Sequence, residues 1–359
     1  MAVPELAPFS GDRIRAARML HGISQTDLAT AIGLSQGAIS QIEAGMLTAD
    51  VQVMGKVADA TGDPLSFFRA VPIDLPPVTL RFRKQSKAKE RDTNRVKQLL
   101  NEAYRIVWGL TQADPRYLPP SLPVVTTDRV DQSQIESIAT QARVALQLDP
   151  EGPVKHVTRA LERAGVIVIP LALPGDEEAT ETVGHFGASC WPGYPDPALI
   201  GYFHGSAGDR QRFTLAHELG HLVLHTRRHL IPDAEDEANR FAGAFLTPQT
   251  WMHERFRADP TLRALATAKA QCGMSIQALI MRGAHLGLID PPRKVSLFKQ
   301  LSARGWRKTE PVAVHPEFPV LLRTLLRHQF GSTSRSMSEA ERQLGLTAFT
   351  LSQLAPKAA

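Results

Sequence analysis

The chain has 359 residues, a hydrophobic fraction of 43% and a formal net charge of +5, which is enough for two or three domains with real cores. Its two cysteines, Cys190 and Cys272, lie far apart, so a disulfide framework and a cysteine-based zinc site are excluded and a reducing compartment is favoured. The first residues lack a basic start followed by a long apolar run, and no apolar stretch approaches the roughly 18 residues of a membrane span. We therefore expect a cytoplasmic protein with no membrane contact.

The positive charge is unevenly distributed along the chain. Residues 1–70 hold five Arg and Lys against seven Asp and Glu. Residues 78–105 hold nine against three, and residues 287–330 hold eight against three. Any partner attracted by positive charge is therefore expected to meet residues outside the N-terminal segment.

The first 70 residues predict a short all-helical unit. Helices are expected at 12–20, 25–32, 36–44 and 50–61, with Ser24 and Ser35 as N-caps and Gly33 closing the second helix. Two short helices joined by a glycine-containing turn are typical of a helix-turn-helix.

Three stretches carry a family resemblance: SQTDLA at 24–29, GLS at 33–35 and ISQIEAG at 39–45. They resemble the XRE (Cro-like) repressors. The resemblance implies a homodimer on double-stranded DNA, with the third helix as recognition helix in the major groove. By the same resemblance, Gln25 contacts a phosphate or supports that helix, and the base-reading residues are Gln36, Gly37, Ser40 and Gln41.

The acidic balance of this unit favours an alternative, a helical interaction domain that does not bind DNA. Phosphate attraction supplies most non-specific affinity, and the predicted recognition helix carries no Arg or Lys. A basic stretch follows a proline-rich linker at 72–77 and offers compensation, through Arg81, Arg83, Lys84, Lys87 and Lys89. The alternative for this stretch is a solvated face.

The rest of the chain alternates helices with a few strands. Helices are predicted at 89–112, 132–147 and 154–164, strands at 166–169, 184–191 and 198–204, and a helix from about 210. The predicted fold is mainly α with a small α+β domain. Its four regions are a helix-turn-helix domain at 1–70, a basic linker and helix at 71–130, a domain with a short sheet at 131–250, and a helical region at 251–359.

The sequence HELGH at 217–221 indicates a metal site on a helix. His217 and His221 share one face at a spacing of four residues, and Glu218 beside them suits a general base and acid. A third ligand is expected from a downstream helix, where we choose Glu237 over Glu235 because it adjoins an apolar stripe. His225 continues the spacing but is expected to point past the metal, and a plain polar helix face is the alternative for the whole site.

RFTLAHELGHLVLH at 212–225 and EANRFA at 237–242, with weaker matches at 165–166 and 198–200, resemble the ImmA/IrrE metallopeptidases. The resemblance implies a zincin-like fold with a His-His-Glu site that takes zinc, although manganese or iron also suits these ligands. Known members cleave repressor proteins after DNA damage or control mobile elements. When water attacks a peptide carbonyl, the carbonyl oxygen becomes an oxyanion, and its stabilisation needs a hydrogen-bond donor besides the metal. The candidates for this donor are His185, Tyr202, His204 and Arg212.

These observations favour a transcription regulator that carries a zinc-dependent endopeptidase domain, active in stress or mobile-element control. Its protein target is the chain's own linker, a separate repressor, or none. The alternative is a non-proteolytic repressor or antitoxin whose zincin-like domain senses a ligand or a partner protein. Residues 338–347 resemble half of a second helix-turn-helix, but an amphipathic packing helix is favoured there.

Overall fold

The N-terminal unit has the four predicted helices: α1 Gly11–His21, α2 Gln25–Ile32, α3 Gln36–Glu43 and α4 Val51–Thr61. They belong to a computed structural model that describes residues 8–73, 75, 80–84, 90–173, 185–203, 207–228, 231–256 and 259–356. A short 3-10 helix at Phe67–Arg69 follows α4. Within the described ranges, no helix is both long and apolar enough to cross a membrane.

Local capping explains where these short helices begin and end. The hydroxyl of Ser24 accepts a hydrogen bond from the backbone N–H of Asp27, and that of Ser35 accepts one from the backbone N–H of Ala38. Gly33 closes α2 at φ 74°, a left-handed conformation that costs glycine little. The turn between α2 and α3 is thus fixed by the residues from which it was predicted.

A four-stranded sheet lies in the middle of the molecule, with strands β1 Leu80–Lys84, β2 Ile167–Leu171, β3 His185–Cys190 and β4 Leu199–Phe203. The strand order is β1-β3-β4-β2. β2 and β4 are parallel, whereas β3 pairs antiparallel with both β4 and β1. The sequence predicted β2, β3 and β4, but it placed residues 80–84 in a linker, and the structure corrects this to an edge strand.

Helices cover both faces of the sheet. Before β2 come α5 Glu90–Ala113, α6 Gln132–Ala145 and α7 Val157–Arg163. After β4 come α8 Gly208–His225, α9 Ala234–Leu246, α10 Gln249–Arg255, α11 Leu262–Cys272, α12 Ile276–His285, α13 Pro291–Ala303, α14 Leu321–Phe330, α15 Ser334–Leu344 and α16 Ala348–Leu354. α8 packs across β4, β3 and β1 and lies against α9. The predicted fold class, mainly α with a small α+β part, is confirmed.

Alternation along the strands divides the interior into two hydrophobic cores. Val168 and Ile200 face the core that contains α8. Ile167 and Leu199 face the other core, which also takes side chains from the N-terminal helices, from α5 and from the C-terminal helices. All four predicted regions of the chain therefore contribute to this second core, although their exact boundaries stay a prediction.

A buried ion pair ties α1 to α5 within that second core. The Arg13 guanidinium donates to both carboxylate oxygens of Glu102, at 2.9 Å from Nη2 to Oε2, and its Nε donates to the carbonyl of Phe67. Arg105 donates to the same carboxylate at 3.0 Å. Burial raises the pKa of Glu102, but the charges and hydrogen bonds of the two arginines outweigh it, so the net pKa lies below the usual range.

The C-terminal helices pack onto the N-terminal unit. Ala340 and Leu344 of α15 are buried in the second core. Gly345 ends α15 at φ 69°, and a Cβ there would lie 2.9 Å from Cα of Phe67. Residues 338–344 thus lie in a helix that packs against the second core, and residues 345–347 form the turn before α16, so the choice between a packing helix and half of a second helix-turn-helix stays a prediction.

Candidate metal centre

Three side chains from two helices converge at one point. His217 and His221 lie one turn apart on α8, with their Nε2 atoms 3.0 Å from each other. Glu235, in the first turn of α9, places its Oε2 3.4 Å from His217 Nε2 and its Oε1 3.3 Å from His221 Nε2. In the part of the chain that the structure describes, these three form the group of His, Cys, Asp and Glu side chains able to share a metal ion.

The geometry of this group fits a tetrahedral metal. A zinc ion with ligand distances of about 2.0–2.1 Å keeps its ligand atoms roughly 3.3 Å apart. The separations from His217 to Oε2 and from His221 to Oε1 of Glu235 are close to that value, and the separation between the two histidine nitrogens, 3.0 Å, is shorter. Burial raises the pKa of Glu235, but the hydrogen bonds to His217 and His221 and the charges of these histidines lower it by more, so the net pKa lies below the usual range.

Glu237, which the sequence favoured as third ligand, lies elsewhere. Its Oε2 is 3.0 Å from His225 Nε2 and 2.6 Å from Nη1 of Arg228, which also donates to Oε1 at 3.2 Å. Two residues along a helix are about 200° apart, so one helix cannot turn both carboxylates toward the same point. The pairing with Arg228 holds Glu237 away, and the structure brings Glu235, not Glu237, to the histidines.

A second layer of contacts fixes how the two histidine rings face the centre. His217 Nδ1 lies 3.0 Å from Oδ1 of Asn239, which can accept its proton. His221 Nδ1 lies 2.8 Å from His225 Nδ1, and His225 passes the chain on to Glu237. When His217 and His221 each carry their proton on Nδ1, the Nε2 lone pairs of both rings point at the shared centre. His225 thus contacts His221 on the side away from the centre. The role of Asn239 was not predicted from the sequence, although Asn239 follows Glu235 by four residues on α9.

The remaining residue of the motif, Glu218, is fully buried against β3. Ser189 Oγ donates to Glu218 Oε2 at 2.7 Å. Gly187 lets the strand come close, because a Cβ there would lie 2.8 Å from Glu218 Oε1. Ser189 and Gly187 were not anticipated, since their link to Glu218 depends on how the strand lies on the helix.

The candidates for an oxyanion donor fare differently. Arg212 is engaged by Glu317 and by the carbonyls of Val154, Lys155 and Cys272, which gives it a structural role. Burial raises the pKa of Tyr202 to about 12, so its hydroxyl stays protonated. His204 and the side chain of His185 lie outside the described residues.

The predicted DNA-binding residues fall into two places. On α3, Gln36, Gly37 and Gln41 are exposed and Ser40 is half-buried. Gln25 supports this helix, because its Nε2 donates to Glu43 and its Oε1 accepts from Gln36, both at 2.8 Å. Arg81, Arg83 and Lys84 lie instead in β1, within the sheet. Lys87 and Lys89 lie outside the described residues, and a DNA contact by the basic stretch stays a prediction.

Two protein-family models match this chain, one near its N-terminus and one around the candidate metal centre. A model described as a helix-turn-helix matches residues 14–68, and one described as the IrrE N-terminal-like domain, peptidase family M78, matches residues 198–282. The chain joins an XRE-type helix-turn-helix domain to a peptidase M78 domain. The second match spans α8, α9 and hence all three converging side chains.

Comparisons with whole proteins add little. No curated protein matches the chain significantly. Among solved structures, the chain is similar to Bacillus thuringiensis PlcR in complex with the peptide PapR7 and DNA, at 12% identity. That match covers 84% of this chain and 98% of PlcR, with a TM-score of 0.17. A TM-score this low carries no argument about function.

Proposed function

We propose that this protein is a DNA-binding transcription regulator whose M78 domain is a zinc-dependent endopeptidase acting on a protein target. One observation carries the enzymatic part: His217, His221 and Glu235 converge at zinc-ligand spacing, with the buried Glu218 beside them on the same helix. Three protein ligands that leave a fourth position open are the arrangement of catalytic rather than structural zinc sites.

His217 Nε2, His221 Nε2 and the Glu235 carboxylate would hold the metal. Zinc bound there supplies an activated water and polarises the carbonyl of the scissile peptide bond. The Glu218 carboxylate takes the proton released by the attacking water and returns it to the departing amine nitrogen. Ser189 orients that carboxylate through Oγ, and the second layer of Asn239 and His225 keeps both rings fixed.

Replacing Glu218 with Gln is expected to separate metal binding from catalysis. The amide keeps the shape and can still accept from Ser189, but it cannot take up a proton, so turnover should fall about 100- to 10,000-fold while zinc content is unchanged. Zinc is measured by mass spectrometry of the purified protein. Cleavage is measured by profiling new protein N-termini in cells that express the wild-type or the Glu218→Gln chain.

The same variant tests the non-proteolytic alternative. If Glu218→Gln keeps its zinc and regulates its genes as the wild type does, with the same set of protein N-termini, the M78 domain is a sensor rather than a peptidase. A wild type without cleavage products would lead to the same conclusion.

The DNA-binding part of the proposal rests on α3, whose polar face is exposed and braced from behind by Gln25. Changing Gln36 and Gln41 to Ala is expected to cost about 1–3 kcal/mol for each base that these side chains read, and to relax sequence preference. The measurement is a titration of operator against random DNA at fixed salt. Gln52→Ala, an exposed glutamine on α4, is the matched control and should change nothing.

Footprinting should then show two half-sites about 34 Å apart, or a multiple of that, as expected for a dimer. A single asymmetric half-site would contradict the dimer. Equal affinity of the wild type for operator and random DNA would contradict base reading by α3.

A further inference from the structure

The edge of the sheet beside Glu218 is occupied by a strand from another part of the chain. β1 pairs antiparallel with β3, so that Arg81 stands opposite Ser189 and Arg83 opposite Gly187. Those two β3 residues are the ones that contact Glu218 or lie against it. β1 therefore lies on the outer side of β3, the strand whose residues contact Glu218.

A strand has only two edges for hydrogen bonding, and both edges of β3 are in use. Residues 187–190 pair with β4 on one side, and residues 185–190 pair with β1 on the other. An extended peptide gains its main-chain hydrogen bonds by adding to a free strand edge. A peptide that reaches Glu218 by pairing with β3 must therefore take the place of β1, since β4 belongs to the interior of the sheet.

β1 has the features of an exchangeable occupant. It is five residues long, it forms the edge of the sheet, and it comes from the segment between the helix-turn-helix unit and α5. Its register with β3 shifts between Arg83 and Lys84, opposite the region of Gly187. Such irregularities leave a residue unpaired and locally disrupt the hydrogen-bond ladder. α8 also contacts β1, so β1 lies against the helix that carries His217 and His221.

We propose that β1 occupies in cis the edge of β3 along which an extended peptide would reach Glu218. The substrate class is then a protein segment in extended conformation, which binds by displacing β1. The catalytic consequence rests on the proposed peptidase function, whereas the displacement itself needs only binding. Because β1 follows the helix-turn-helix unit in the chain, its displacement also changes how that unit is tethered to the sheet.

Binding of a free copy of the strand tests this directly. The probe is a fluorescein-labelled peptide with the sequence of residues 78–86, added to the full chain and followed by fluorescence anisotropy. Successive residues of a strand point their N–H groups to opposite sides, so in Phe82→Pro/Arg83→Pro one of the two lost N–H groups is on the β3 side. The edge therefore opens, and the peptide should bind at least ten-fold more tightly than to wild type. Phe82→Gly, which keeps the N–H, should give a smaller gain and serves if the proline variant does not fold.

A reversible lock provides the matched control. Leu80 stands opposite Cys190, and paired residues of antiparallel strands have Cα atoms about 4.5–5.5 Å apart, within the range of a disulfide. In Leu80→Cys/Phe82→Gly, oxidation should abolish peptide binding and reduction should restore it. Leu80→Ser/Phe82→Gly has no second thiol at this pair and should respond to neither treatment.

All binding measurements are repeated in the Glu218→Gln background, so they do not depend on turnover. Peptide binding that the oxidised disulfide abolishes would sustain the proposal about β1 whether or not the peptide is cleaved, and the peptidase activity is tested separately by the profiling of new protein N-termini. If the peptide binds the folded Phe82 variants no better than wild type, or if oxidation leaves binding unchanged, the proposal about β1 is overturned.

Discussion

Replacing Glu235 with Gln is expected to remove most of the bound zinc, whereas replacing Glu237 with Gln is not. Glu235 alone of the two carboxylates reaches both His217 and His221. The amide loses the negative charge that complements the metal, and zinc affinity should fall by more than the roughly 10- to 100-fold that a change in the outer layer costs. Affinity is measured by competition with a chromophoric chelator.

Glu237→Gln is the matched control, because it makes the same chemical change two residues along α9. Glu237 acts through His225, which holds Nδ1 of His221, so its loss should weaken zinc within that 10- to 100-fold range. Thermal unfolding of Glu237→Gln shows whether the lost ion pair with Arg228, the other partner of Glu237, destabilises the fold. The opposite pattern, with zinc lost from Glu237→Gln and kept by Glu235→Gln, would restore Glu237 as the ligand.

The difficulty of choosing between these carboxylates from sequence has a physical cause. The apolar stripe of α9 shows which side of the helix is buried, and Ala238 and Phe241 are indeed in the core. It does not show how the first turn of the helix is placed against α8. That placement depends on Arg228, which binds Glu237 and also the carbonyl of Asp128, a residue distant in sequence.

The helices of the N-terminal unit were predictable because their determinants are local. Ser24 and Ser35 cap helices within three residues of themselves, and Gly33 ends one in a left-handed conformation. β1 carries only a short alternation of apolar and basic residues, Leu80 to Arg83, and its excess of Arg and Lys suggested a charged linker. The strand forms because β3, about a hundred residues later, presents an edge. Sequence patterns thus identified α8, which carries the HELGH motif, but not β1, which lies beside it.

Charge counting also gave an incomplete picture of the interface between the two halves of the chain. The overall acidic balance of residues 1–70 is correct, but Arg13 is buried and paired with Glu102 of α5 instead of facing a partner. Together with the shared second core, this pair means that the helix-turn-helix unit is attached to the sheet by packing as well as by the chain. Its stability should therefore depend on residues beyond position 70.

Changing Glu102 to Gln should accordingly destabilise the protein by about 3–5 kcal/mol, because it leaves Arg13 and Arg105 without the carboxylate that they share. The measurement is urea denaturation followed by circular dichroism. Glu90→Gln, an exposed carboxylate on the same helix, is the control and should cost less than about 1 kcal/mol. Replacing both partners, Arg13→Met with Glu102→Leu, should recover part of the loss, since the buried charge of Arg13 is removed while Arg105 keeps its hydrogen bond to the carbonyl of Leu344.

The same pair predicts the direction of the pH dependence. The net pKa of Glu102 lies below its ordinary value in the folded protein, so its contribution is complete above that ordinary value, about 4.3, and is lost as the pH falls toward the lowered folded value. The difference in unfolding free energy between wild type and Glu102→Gln should therefore be constant near neutral pH and shrink below about pH 4. A difference that persists unchanged at the lowest pH where the protein folds would mean that the cost of the Gln variant comes from altered packing rather than from the lost charge.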